Sequence, residues 1–118
     1  MANEQLIKAL DATREIQITV TGRKTGRPIT LPVWFVRDGD RLYLVPVQGS
    51  GTSWYKNVLK EPTIRVAAGD AQITARAVPV TDPARVGGIV DMFRAKYSAQ
   101  NVAAYYPQHD VAVEVPLT

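Results

Sequence analysis

The sequence predicts a mainly β, α+β domain: a small antiparallel barrel of about six strands with appended short helices. Three observations carry that prediction. Two-residue alternation recurs in separate runs, beginning with Ile16, Ile18 and Val20 against Gln17, Thr19 and Thr21. Short Gly-Asp turns such as Asp38-Gly39-Asp40 and Gly69-Asp70 join several runs, as hairpins require and βαβ units do not. Helical spacing is confined to the start, the middle and a late stretch of the chain. A length of 118 residues with 46% hydrophobic content fits one domain, residues 1–118, with one good core.

Leu6, Ile7 and Leu10 give the opening segment, Glu4 to Thr13, one buried helical stripe. The half-buried strand from Ile16 follows. Ile29 to Val36 is apolar on both faces, so this strand is covered on both sides or lines a ligand cavity. Arg41 to Val47 reads the same way. Gln48-Gly49-Ser50-Gly51 breaks the pattern, and Thr52 or Ser53 can cap a short helix pairing Trp54 with Val58 and Tyr55 with Leu59, ended by Pro62. Thr63 to Ala68 and Ala71 to Val80 form a hairpin. Asp82-Pro83 opens a helix with a cap and a proline at its first position, with Val86, Ile89, Val90, Phe93 and Tyr97 as its buried stripe. Gly87 and Gly88 inside that helix suggest close packing there. An aromatic segment, Tyr105-Tyr106-Pro107, precedes a last strand from Val111 to Val115.

The chemistry is narrowed mostly by what is missing. There is no cysteine, which excludes disulfides, iron–sulfur clusters and thiolate zinc sites and suits a cytoplasmic setting. The polar amino terminus and the lack of a long apolar stretch give no signal core or transmembrane helix. His109 is the single histidine, and no HExxH, G-x-S-x-G, Walker A or dinucleotide fingerprint occurs. Asp38, Asp40, Asp70, Asp82 and Glu61 sit at turns or caps. The net charge is only +3, but Arg14, Arg23, Lys24 and Arg27 lie in one window, which favours a local anionic ligand over a polyanion. A nucleic-acid-binding barrel ranks last, because Trp34 and Phe35 have no lysine or arginine interleaved with them.

The turn Thr21-Gly22-Arg23-Lys24-Thr25-Gly26-Arg27-Pro28 is the most informative stretch. Its glycines permit a tight connection at positive φ, and its cations stand beside free backbone amides, an arrangement that binds phosphate or carboxylate. A solvated hairpin tip is the alternative. With no evident catalytic side chain, an anion-binding turn and two-faced apolar strands describe a cofactor holder in which the bound molecule does the chemistry.

The run Thr19 to Pro28, then Leu31-Pro32, Arg37-Asp38-Gly39-Asp40 and Trp54-Tyr55-x-Asn57, resembles the deazaflavin-dependent nitroreductase family over about residues 14 to 80. The resemblance implies a six-stranded split β-barrel of the flavin-binding, pyridoxamine-phosphate-oxidase-like superfamily. It further implies a reduced 8-hydroxy-5-deazaflavin coenzyme passing hydride to a quinone-like, nitroaromatic or other conjugated acceptor. By that likeness Arg23, Lys24 and Thr25 hold the phosphate and acidic tail, and Leu31, Pro32 and Val33 lie along the ring. Trp54 and Asn57 bound the site, with Gln48, Gly49 and Ser50 beside them in a loop shorter than the family's usual one. Tyr97 and Tyr105 or Tyr106 match residues lining the acceptor pocket. Related split barrels bind FMN, and some hold haem derivatives or fatty acids without turnover. The expected assembly is a homodimer.

Overall fold

Alternation builds the first sheet in the computed structural model, which describes residues 4–106 and 109–117. The extreme amino terminus and Pro107, on both of which sequence expectations fall, lie outside the described residues. Strand β1 (Ile16–Thr21) buries Ile16, Ile18 and Val20, as its period requires. It pairs antiparallel with β2 (Pro28–Val33), setting Ile18 opposite Leu31, and with β5 (Thr63–Ala68), setting Ile18 opposite Val66. β6 (Ala71–Arg76) completes the order β2-β1-β5-β6. A second antiparallel sheet has the order β3-β4-β8-β7, from β3 (Val36–Asp38), β4 (Arg41–Leu44), β7 (Val78–Val80) and β8 (Ala112–Pro116).

The fold is therefore mixed α+β, with two four-stranded sheets where the sequence suggested six strands in one barrel. Two of the expected runs are broken between sheets. The Ile29–Val36 run divides at Trp34-Phe35, and the Ala71–Val80 run divides at Ala77, whose N–H donates to the Pro62 carbonyl at 2.8 Å. Arg41–Val47 pairs only to Leu44; Pro46, just beyond, has no N–H to give a ladder.

The packing on both sides explains why the β4 run reads as two-sided. Leu42, Leu44, Val113 and Val115 join Ile18, Val20, Ile64 and Val66 in one core, which α1 (Glu4–Asp11) closes with Leu6 and Leu10 and α2 (Ser53–Lys60) with Trp54 and Val58. The opposite face, with Val36, Tyr43, Val45 and Ala112, packs against α3 (Pro83–Tyr97) and α4 (Ala99–Tyr105). Helix α3 buries the expected stripe, and Asp82 accepts the Arg85 N–H at 3.1 Å as its cap.

Several local expectations are corrected. Gly87 and Gly88 are exposed, and a Cβ on either would meet nothing within 4 Å, so close packing does not explain them. They occupy the solvent side of α3. Leu59 is 53% exposed and adds no buried partner for Tyr55. Thr52 stands at the N-cap position of α2, yet its hydroxyl accepts the Gln48 N–H at 2.8 Å and no side chain caps the helix. The aromatic segment continues a helix, because Ser98 at φ 85° turns the chain from α3 into α4 and its hydroxyl accepts the Asn101 N–H.

Candidate functional site: a clamped basic turn and an aromatic groove

The β1–β2 turn is held closed from within and from outside. Gly22 N–H donates to the Arg27 carbonyl and Gly26 N–H to the Gly22 carbonyl, each at 2.8 Å. Only Gly26 uses positive φ, at 73°. Gly22 is tightly surrounded: a Cβ there would stand 3.2 Å from both Ile29 Cδ1 and Thr25 Oγ1, so those side chains would have to shift. From α2, buried Asn57 presents Oδ1 to Arg23, accepting its N–H at 3.1 Å and its guanidinium Nη1 at 2.8 Å. The same Nη1 donates to the Ser53 carbonyl, and Lys60 Nζ donates to the Arg23 carbonyl at 3.0 Å. A freely solvated hairpin tip would lack the bonds from α2.

Arg23 is thus an anchor of the turn. Lys24 and Thr25 are exposed, and their amides meet no acceptor among the described residues. The turn and α2 enclose a concavity of about 280 Å³ bounded by Gly22, Arg23, Lys24, Thr25, Ile29, Ser53 and Asn57. The first turn of α2, whose Ser53 is part of this lining, has no side-chain cap on its amides.

A larger groove of about 550 Å³ adjoins these same elements. One wall is Leu31, Pro32 and Val33 of β2 with Trp34; the other is Val45, Val47, Thr52 and Trp54; Tyr105 and Tyr106 close one side, and Glu15 also reaches it. Strand β2 supplies Ile29 to the concavity and Leu31 to Val33 to the groove, while α2 supplies Ser53 and Asn57 to one and Trp54 to the other. A polar socket and an apolar groove are thus lined by the same two elements, β2 and α2.

Trp34 organises the aromatic end. Tyr97 stacks on it at 4.3 Å with planes 5° apart, Tyr105 meets it edge-on at 5.3 Å, and Tyr106 lies 5.8 Å away. Tyr97 itself is behind the wall, 2% exposed and absent from the groove lining. Its hydroxyl accepts the Phe35 N–H at 3.2 Å and lies 2.6 Å from the Arg14 carbonyl, to which it donates. Burial raises the pKa of Tyr97 and pushes that of Tyr106 far above the ordinary phenol value, so both stay protonated at neutral pH.

Gln48, Gly49 and Ser50 fall outside both depressions. Gln48 is exposed and Gly49 buried, while Ser50 is bound to Asp110 through its N–H at 3.0 Å and its hydroxyl at 2.6 Å. Those bonds lower the Asp110 pKa, the hydroxyl contributing most. Sequence reasoning did not single out Trp34, Val45, Val47 or Thr52 as lining residues. The available signal was a strand apolar on both faces that ends in a tryptophan.

A family model described as F420H(2)-dependent quinone reductase matches residues 2–117. The chain belongs to that family. Among curated members, the F420H(2)-dependent quinone reductases Rv1261c and MT1299 of two Mycobacterium tuberculosis strains are each 31% identical over 87 residues, 68% of this chain and 58% of theirs. The chain thus spans somewhat more than half the length of these family members. Among solved structures, the F420-H2 dependent reductase FDR-A superposes with a TM-score of 0.70 at 23% identity, covering 86% of this chain and 93% of that one. The heme storage protein HutZ of Vibrio cholerae gives 0.72 at 13% identity, covering 100% and 92%. A chain described as a domain-swapped dimer gives 0.70 at 23% identity, covering 86% and 79%. These likenesses establish the fold alone, and one fold carries several ligands.

Proposed function

We propose that this protein is a reductase that holds a reduced 8-hydroxy-5-deazaflavin coenzyme along the β2 edge and delivers its hydride to a quinone-like, nitroaromatic or other conjugated acceptor. The observation that carries the reading is that β2 and α2 each line both a clamped cationic socket and an apolar aromatic groove. The residues fit such a group on three counts: two unpaired amides at Lys24 and Thr25, an uncapped helix start, and a groove walled by Leu31, Val33 and Trp54. When bound, the coenzyme supplies the hydride.

The protein's own part is placement and dryness. Lys24, the Lys24 and Thr25 amides, and the guanidinium nitrogens that Arg23 does not spend on Asn57 and Ser53 would hold the acidic end. Asn57 would fix Arg23 without itself meeting the ligand's charge. Leu31, Pro32, Val33 and Trp54 would bound the ring, and Trp34 with Tyr105 would form a flat wall for the acceptor.

Three companion assignments belong to the same reading. The two sheets form the halves of one split barrel, a reading supported by the direct passage of the chain between them at Trp34-Phe35 and Ala77. A homodimer is supported by the open β2 edge, where Ile29 is 43% exposed. A cytoplasmic setting rests on the absence of cysteine; among the described residues, no helix is long and apolar enough to cross a membrane.

The test is oxidation of the reduced deazaflavin, followed by absorbance, with a soluble benzoquinone as acceptor and with reduced FMN in a parallel arm. Turnover with the deazaflavin and not with FMN supports the proposal. Tight binding of deazaflavin, FMN or haem without turnover would replace it with a non-catalytic carrier.

A further inference from the structure

A second cleft shares no lining residue with the groove. It encloses about 410 Å³ between α1, β3 and α3, with Leu10, Phe35 and Met92 among its apolar walls and Asp11, Arg37 and Lys96 at its polar side. Its charge is unbalanced. Lys96 is half-buried, donates to the Phe35 carbonyl at 3.0 Å, and stands 3.4 Å from the centroid of the Phe35 ring. An ammonium carries three donors, and no carboxylate among the described residues forms an ion pair with this one. Asp11 is taken up bidentately by Arg37, at 2.9 and 2.7 Å. Arg14, from the α1–β1 connection, also lacks an acidic partner; it donates to the Lys96 carbonyl and lies 5.0 Å from the Tyr97 ring centroid. Three cations thus lie around this cleft, and Asp11 is the one carboxylate that lines it.

We propose that this cleft binds a small carboxylate of the aromatic-acid class, with its anionic group on Lys96 and its ring against Met92 and Ala95, the apolar lining side chains that reach the surface. Two unspent ammonium donors suit a monoanion. Met92 is only partly buried, so an organic acid that covers it is favoured over inorganic phosphate. Burial first and the Arg14 charge second bring the Lys96 pKa down to about 8. The charged and titratable groups facing it are Asp11 from α1, Arg14, Arg37 from β3 and Tyr97 from α3 itself. Affinity for an anion must therefore fall as pH rises through about 8, when Lys96 loses its proton.

Amide chemical shifts of the whole chain, titrated with 2-naphthoate and its neutral 2-naphthamide, test this. The carboxylate should move Phe35, Val36, Met92, Ala95 and Lys96 and bind at least about fivefold more tightly than the amide at pH 7. Lys96→Met should remove that preference and its pH dependence, while Lys96→Arg keeps affinity within about twofold because the charge persists. Equal binding of acid and amide, shifts confined to Leu31, Val33 and Trp54, or an unchanged Lys96→Met variant would each overturn the proposal. Should Lys96→Met fail to fold, the wild-type shift map and pH profile decide the matter alone.

Discussion

Asn57→Ala isolates the contact on which the shape of the basic turn depends. The substitution deletes one acceptor serving two donors, the Arg23 N–H at 3.1 Å and its Nη1 at 2.8 Å. A neutral backbone bond contributes about 1 kcal/mol and a charge-assisted one about 1.5–3 kcal/mol. Because Arg23 is half-exposed, water can recover part of the second contribution, so the low end applies and the expected loss is about 2–3 kcal/mol. For a domain of this size that lowers Tm by about 8–12 °C. Urea denaturation of Asn57→Ala, Arg23→Met and the double variant should show a coupling of about 1 kcal/mol, since both changes remove the same bond. Coenzyme affinity should fall about tenfold in Asn57→Ala through lost preorganisation of the turn. A loss below about 0.5 kcal/mol, or additive single effects, would show that α2 does not fix the turn.

Other outcomes follow from single features. Gly87→Ala and Gly88→Ala should each stabilise by about 1 kcal/mol in a urea melt, because α3 gains helix propensity and the new Cβ meets nothing; destabilisation that depends on protein concentration would reveal a partner on that face. Tyr105→Ala should leave stability within about 0.5 kcal/mol, since the ring is 58% exposed, yet raise the acceptor KM several-fold through loss of the edge contact to Trp34. Asp110 has a lowered pKa, so its bond to Ser50 contributes stability above the unfolded carboxyl pKa and loses it as pH falls through the folded value. The group is exposed, which limits the effect to under about 1 kcal/mol. Asp110→Asn should flatten that part of the acid limb of the stability–pH curve, and an unchanged limb would exclude the contribution.

Much of the fold was legible because burial imposes a period on the chain. Val86, Ile89, Val90, Phe93 and Tyr97 announced α3, and Ile16, Ile18 and Val20 announced β1, since each face meets a core. Bends between sheets leave no comparable mark. Trp34-Phe35 and Ala77 carry no turn signal while the backbone changes sheet, so eight strands read as six. The site divided in the same way. Leu31, Pro32, Val33 and Trp54, singled out by the family resemblance, line one groove. Tyr97 shares its helical stripe with pure core residues, and only its stack on Trp34 and its bond to the Arg14 carbonyl show what it supports. Arg23 looked like a free cation because nothing in its neighbourhood in sequence reveals Asn57, thirty-four positions away. Removing Arg23 will therefore cost stability as well as ligand affinity, which leaves exposed Lys24 as the cleaner probe.

The most direct measurement compares binding of the complete deazaflavin coenzyme with that of its chromophore lacking the phosphate and acidic tail, in wild type and in Lys24→Ala. If the turn grips the acidic end, wild type should prefer the complete molecule by at least about tenfold, and Lys24→Ala should lose most of that preference with Tm unchanged. Equal affinity of the wild-type protein for both molecules would contradict the claim that this turn anchors the ligand.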